Sequence, residues 1–285
     1  MLTRITQPVS QSELRERVYR GEILHFQNLP GVNSFCQHAR TICETMLDCS
    51  SPVISHRHIE PGNWQKLISQ YQLAARHSPD CFESFSNTLQ DLGLDLNETF
   101  CDRFIFRAVP PHSFDVNGAH AWVDTHRDTW GAGIYQQINW WGPLYPYPES
   151  AGIEFYPDHF DQAIANTTAN WSHEKYLAAR KQQSAELKPD YKSIPSLLET
   201  PRGKVLRPRI EAGDILCFSA AHLHGSSINH TDNCRFSFET RTVNLEDIES
   251  GLKAPNCDND SDDQLLKLFH NLVDGEKLEA RHFSH

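Results

Sequence analysis

The sequence predicts a mainly β protein, a sandwich or barrel, dressed by a layer of helices at its N-terminal end. Three observations carry this. Apolar residues recur at helical spacing over the first hundred residues. From Asp102 the period changes to two, as Phe104, Phe106 and Ala108 alternate with Arg103, Ile105 and Arg107. The strand candidates beyond are many and short, and they follow the helices rather than preceding them.

Ser10-x-x-Glu13 is a capping box that opens a helix ending near Gly21. Gly21–Pro30 then reads as a short strand and turn. Phe35, Ala39, Ile42, Cys43 and Met46 fall on one helical face. Trp64, Leu67, Ile68, Tyr71 and Ala75 form a second stripe, and Phe82, Phe85, Leu89 and Leu92 a third. Such stripes are core rather than cofactor contacts. Further strands are expected at Tyr135–Trp141, Gly152–Tyr156, Lys204–Ile210, Asp214–Phe218 and Arg235–Val243. The polar stretch 157–202, with one helical piece at Ser172–Gln182, reads as an insert over a site. A short helix is expected around Leu265–Val273. No linker is evident. The expectation is one domain over 1–285: helical layer 1–100, β core 101–245, tail 246–285.

Composition narrows the function. The 285 residues carry 26 Lys and Arg against 37 Asp and Glu, a formal charge of −11. That balance argues against a partner with a phosphate backbone. No apolar run approaches the ~20 residues of a membrane span. The start lacks the apolar stretch of a signal peptide. Eight cysteines without C-x-x-C spacing read as free thiols of a reducing cytoplasm. The question becomes which of the sixteen histidines converge.

Two clusters stand out. In the first, Thr125–Trp130, His126 and Asp128 are two apart, so in a strand or at its end they face one side while Arg127 faces the other. The second is Ala220-Ala221-His222-Leu223-His224-Gly225-Ser226, just past the apolar strand at Ile215–Phe218. One carboxylate and two imidazoles make the facial triad of non-haem Fe(II), which leaves three positions open. Eleven residues after His224, Arg235 opens another strand. Its planar guanidinium suits the far carboxylate of a bound 2-oxo diacid.

His126-x-Asp128, then GDILCFSAAHLHGS over Gly213–Ser226, then Arg235, resembles the Fe(II)/2-oxoglutarate-dependent oxygenases. The pattern is most similar to their phytanoyl-CoA dioxygenase-like branch, as is the opening helix followed by GEILHFQNLP. The resemblance spans roughly Gly21 to Val243. It implies a double-stranded β-helix, the jelly-roll or cupin-like core. It implies that His126, Asp128 and His224 hold Fe(II), with 2-oxoglutarate and O₂ as co-substrates and Arg235 as the 2-oxoglutarate anchor. The related halogenases lack the carboxylate, so Asp128 favours hydroxylation or oxidative dealkylation. Arg235 in place of Lys favours a small-molecule substrate over a protein one.

Several assignments stay open. His222 is the reserve metal ligand, or a second-layer hydrogen-bonding residue. Arg241 is the alternative anchor, a substrate residue or a structural cation. Gln137, Asn139 and Trp141 share one strand face suited to a co-substrate carboxylate and a substrate. Ser226 is a hydroxyl partner of that carboxylate or a strand-end cap. Thr129 and Trp130 line the pocket or pack. Arg107 reads as a solvated outer-face residue or as a further acid-binding one, and His112, His120 and Asp124 as loop residues. The polar residues near the motif suggest an amino-acid- or sugar-derived metabolite. A cupin-type metal hydrolase or isomerase and a silent ligand-binding barrel are the rival classes.

Overall fold

The computed structural model describes residues 1–7, 9–114, 123–181, 192–279 and 282. In chain order the elements are β1 Leu2–Ile5, α1 Gln11–Tyr19, β2 Ile23–Phe26, α2 Pro30–Leu47, α3 Pro61–Arg76 and α4 Pro79–Asp91. There follow β3 Thr99–Cys101, β4 Ile105–Val109, α5 Asp128–Ala132, β5 Ile138–Pro143, β6 Ile153–Phe155 and α6 His173–Lys181. The chain closes with β7 Ile215–Ser219, β8 His224–Ser226, β9 Arg235–Asn244, α7 Leu245–Ser250 and β10 His270–Asn271. His120 and Gln182 lie outside the described residues.

Two sheets form a jelly-roll core. The large sheet runs β1-β2-β7-β5-β9-β3-β10, with β4 also on β9. The small sheet pairs β6 with β8. Isolated bridges extend it by His126 on His224 and by Leu206 on Phe155. The inner faces meet through Trp141, Ile153, Phe155, Leu216 and Phe218. The longest strand, β9, is bonded along both edges, by β5 on one side and by β4 and β3 on the other.

The helical layer forms for the reasons its stripes gave, except that Phe82, read as core, lies at the edge of its stripe and is 44% exposed. Ser10 Oγ accepts from the Glu13 amide at 3.1 Å and caps α1. On α2, Val32, Phe35, Cys36, Ala39, Cys43 and Leu47 are buried. They pack on Phe104, Phe106, Phe236 and Phe238 of β4, β9 and the turn before β4. Phe35 sits at the centre, its ring 4.5 to 6.2 Å from those of Phe238, Phe104, Phe106 and Phe85. Alternation along β9 then sends Arg235, Ser237, Glu239 and Arg241 to the opposite face, toward the small sheet.

Two expected elements differ. Lys204–Ile210 contributes one bridge rather than a strand, because Pro208 has no amide to donate. Leu265–Val273 is a 3₁₀ turn at Leu266–Leu268 followed by β10 on β3. There Leu266 and Phe269 are drawn onto Phe100 and Val243, so a sheet edge wins over a helix. No helix among the described residues is long and apolar enough to cross a membrane.

Phe35→Ala is expected to cost about 3–5 kcal/mol of unfolding free energy. Phe82→Ala, at a position 44% exposed, should cost less than about 1 kcal/mol. Urea denaturation of both variants checks the packing, and equal losses would contradict it.

Candidate metal centre and anion cleft

His126 and His224 are brought together by backbone pairing. His126 N donates to His224 O at 2.8 Å, and His224 N to His126 O at 2.9 Å. The chain then leaves the strand, with Arg127 as the N-terminal cap of α5 and Asp128 as its first residue. The two-residue spacing therefore works at a strand-to-helix corner rather than along a strand. Arg127 does face away, donating to Asp258 at 3.1 Å and to the carbonyls of His159, Gln162 and Ala221.

One ligand atom from each of His126, Asp128 and His224 lies within 4.8 Å of the others. His126 Nδ1 is 2.7 Å from Asp124 O, and His224 Nδ1 is 2.9 Å from His222 O. A carbonyl only accepts, so both Nδ1 atoms carry the proton. Both Nε2 lone pairs are left for a cation, 3.5 and 3.9 Å from the Asp128 carboxylate. Burial, with the nearby His126, pushes His224 down to about 4. Burial works to raise Asp128, but Arg241 and the two imidazoles outweigh it and hold the carboxyl well below its usual range. Neutral imidazoles and an ionised carboxylate are the ligand forms a divalent cation needs.

Asp128 is held by two further side chains. Arg241 Nη2 donates to its Oδ1 at 3.2 Å, and Asn139 Nδ2 donates to its Oδ2. Gln137 Nε2 in turn donates to Asn139 Oδ1 at 2.9 Å. Asn139 and Gln137, expected beside a co-substrate carboxylate, are thus strung onto the metal-site carboxylate instead. Arg241 also donates to Asp102 at 3.1 Å and Glu239 at 3.3 Å. With three carboxylates around it, it is a poor free anchor.

Arg235 is the opposite case. It is 2% exposed and has no carboxylate within 4 Å among the described residues. Its guanidinium lies 5.8 Å from the Trp141 ring centroid and donates to Ser226 Oγ at 3.4 Å, while Nε finds no partner. Burial, helped by Arg107, pushes it down to about 10, still charged at neutral pH. It lines the same narrow cleft as His126, His224, Trp141 and Ser226, with a cavity volume of about 20 Å³.

Arg107 and Glu239 also line this cleft. Arg107 grips Glu239 bidentately at 3.1 and 2.7 Å. It is not the outer-face residue expected from its strand. The register of β4 on β9 sets Arg107 opposite Ser237, on the inward parity of Arg235, a relation that the sequence alone does not carry. Burial works to raise Glu239, but Arg107 and Arg241 outweigh it and hold it down at about 2.

The remaining expectations sort by direction. His222 is fully buried between Phe155, Phe160 and Phe218, with neither ring nitrogen partnered by geometry. Only its carbonyl serves the centre. Trp130 packs with Ile164 and Leu223 and donates to Asp258 at 2.7 Å, away from the cleft. Thr129 is buried beside it, its amide on Ala220 O at 3.3 Å. Of the insert, Lys192 reaches the Asp124 carboxylate at 2.6 Å, two residues from His126. Residues 182–191 are outside the described set.

No family model and no curated protein matches the chain. Solved structures similar to it are non-haem 2-oxoglutarate enzymes or their like. EvdO2 from Micromonospora carbonacea var. aurantiaca, complexed with 2-oxoglutarate, is 13% identical over 85% of this chain and 94% of its own, with a TM-score of 0.44. The non-heme alpha ketoglutarate dependent carbocyclase SnoK from nogalamycin biosynthesis is 12% identical over 92% and 98%, TM-score 0.42. The nickel complex of the non-heme monooxygenase ThoJ is 14% identical over 81% and 77%, TM-score 0.40. Identity and TM-scores are low, so the chemistry of the cleft stands on its own residues.

Co(II) titration, followed by visible absorption, checks the donor set. His224→Ala is expected to weaken binding at least about 100-fold, as loss of a ligand should exceed the 10–100-fold typical of an outer partner. His222→Ala should stay within about threefold of the unsubstituted chain. Equal retention in both would remove His224 from the centre.

Proposed function

We propose that the chain is an Fe(II)- and 2-oxoglutarate-dependent oxygenase that hydroxylates, or oxidatively dealkylates, a small polar metabolite. One observation carries the reading: a buried guanidinium without a carboxylate shares its cleft with two imidazoles and a carboxylate poised for a divalent cation. A lone buried cation is costly, and that cost is relieved when an anion arrives. A dicarboxylate with a keto group beside one end offers what both ends of the cleft require.

His126, Asp128 and His224 would hold the metal on one face. Arg235, with Ser226, would take the far carboxylate of 2-oxoglutarate by charge-assisted hydrogen bonds. Arg241 and Asn139 keep Asp128 turned toward the imidazoles and spread its charge. Trp141 forms the apolar wall under Arg235 and keeps water from that ion pair. When bound, Fe(II) with 2-oxoglutarate and O₂ supplies the oxidant: the diacid leaves as succinate and CO₂, and one oxygen atom is inserted into a substrate C–H bond. The carboxylate at Asp128 supports hydroxylation over halogenation. Hydroxylation at a carbon bearing nitrogen or oxygen would let the product collapse, with dealkylation as the net result. Charged and amide side chains around the centre support an amino-acid- or sugar-derived substrate. One oxygenase domain over 1–285 is the matching organisation, and eight free cysteines support the cytoplasm as its place.

The test is conversion of 2-oxoglutarate to succinate by the Fe(II)-loaded protein against a panel of polar metabolites, with product mass read out. Absence of succinate throughout, in metal-replete protein, would sink the reading. Anaerobic titration separates the two arginines. Arg235→Ala is expected to weaken 2-oxoglutarate binding about 10–100-fold, the worth of a hydrogen bond to a charged group, with metal affinity within about threefold. Arg241→Ala should weaken the metal more than the diacid. The reverse order would move the anchor to Arg241.

A further inference from the structure

A second cleft, of about 350 Å³, lies where the end of α3, the side of α4, the turn from β3 to β4 and the segment around β10 meet. Its volume falls in the range of small-molecule pockets. Three cations line it, Arg76, Arg103 and Lys267, beside the imidazole of His270. In a chain with a formal charge of −11 this concentration runs against the average.

The cations are not spent on ion pairs. None of Arg76, Arg103 and Lys267 has a carboxylate within 4 Å among the described residues. The carboxylate in the wall, Asp102, is already committed. Its Oδ2 accepts from Arg241 at 3.1 Å, and its Oδ1 accepts from the Arg103 amide at 2.6 Å. Arg76 Nε is tied to Phe104 O at 3.1 Å, which fixes the guanidinium at the cleft wall. Burial and the neighbouring Arg103 both work against the charge of Arg76, and Asp102 offsets them only in part, so three cations face one carboxylate across the wall.

Apolar surface stands beside these charges. Phe82 is 44% exposed and Leu268 39% exposed, and both line the same cleft. Large apolar side chains left in water next to unneutralised cations define an amphipathic ligand. The flat body would lie on Phe82 and Leu268, and the anionic group would reach Arg103, Lys267 and Arg76.

We propose that this cleft binds a small molecule in which an aromatic ring carries a phosphate, sulfate or carboxylate group. The site is separate from the metal-centre cleft. The two share no lining residue, and Asp102 with Arg241 stands between them. The proposal does not depend on the reaction at the metal centre.

Anilinonaphthalene sulfonate is the probe, a ring system with one anionic group whose fluorescence rises on leaving water. One molecule is expected to bind per chain. Phenyl phosphate should displace it at about tenfold lower concentration than inorganic phosphate. Arg103→Glu with Lys267→Glu should weaken the probe at least about tenfold, and the Gln pair at the same positions should fall between. Both side chains are exposed, so far-UV circular dichroism should not change. If the Glu pair disturbs folding, the Gln pair decides. Arg235→Ala, which alters the other cleft, should leave probe binding within about twofold. Undiminished binding in the pair variants, loss of binding in Arg235→Ala, or displacement by inorganic phosphate as readily as by phenyl phosphate would each overturn the assignment.

Discussion

The structure turns on the ion pair between Arg241 and Asp128, because a metal-ligating carboxylate has to be kept ionised where water is nearly excluded. Around that pair three guanidiniums, Arg107, Arg235 and Arg241, face three carboxylates, Asp102, Asp128 and Glu239. The numbers are equal but the pairing is not. Arg241 touches all three carboxylates, Arg107 grips Glu239 alone, and Arg235 touches none. The group is neutral by itself. A divalent cation at the imidazoles adds two positive charges, and a dianion between cation and Arg235 restores the balance. Neither ligand satisfies the cleft alone, which couples their binding through charge.

Holding so many charges inside a sheet requires the other sheet face to carry the folding energy. Alternation along β9 does this within one sequence, Arg-Phe-Ser-Phe-Glu-Thr-Arg, where Arg235 and Glu239 line the cleft and the two phenylalanines enter the cluster around Phe35. The helices α2, α3 and α4 are therefore part of the site in an energetic sense. They cover the outer face, where β9 places Phe236 and Phe238. Aromatic burial there, on the order of 1.5–3 kcal/mol per side chain, offsets the desolvation of the charges a few ångströms away.

This arrangement explains what could be read from the chain. The helical stripes and the period-two alternation are local signals, and they found the layer and most of the large sheet. The three donors were legible through their residue types and the motifs that carry the resemblance, and the fold brings them together. Parity, however, names a face and not a partner. It put Asn139 and Gln137 on the inner face correctly but could not say that Asp128 would claim their amides. It gave no hint that Trp130 would find Asp258, from a tail segment distant in sequence. The strands β1, β3 and β8 have two to four residues of regular pairing, too few for a period to emerge. Arg107 was misread for want of a register between β4 and β9, which only folding supplies.

The pairing of His126 with His224 also says when the centre forms. Their rings stand 4.6 Å apart because reciprocal backbone bonds join the two residues. Gly225 permits the approach, since a Cβ there would lie 3.0 Å from Thr125 Cα. Each ring is then turned by a carbonyl on its own segment, Asp124 O for one and His222 O for the other. None of these contacts involves a cation. Two ligands far apart in sequence are thus placed, oriented and left in the right tautomer by the small sheet alone. Asp128 is brought in by the corner that follows and fixed there by Arg241 and Asn139. The cation completes a geometry that the β-ladder has already paid for in chain entropy, which leaves more of the binding free energy for affinity.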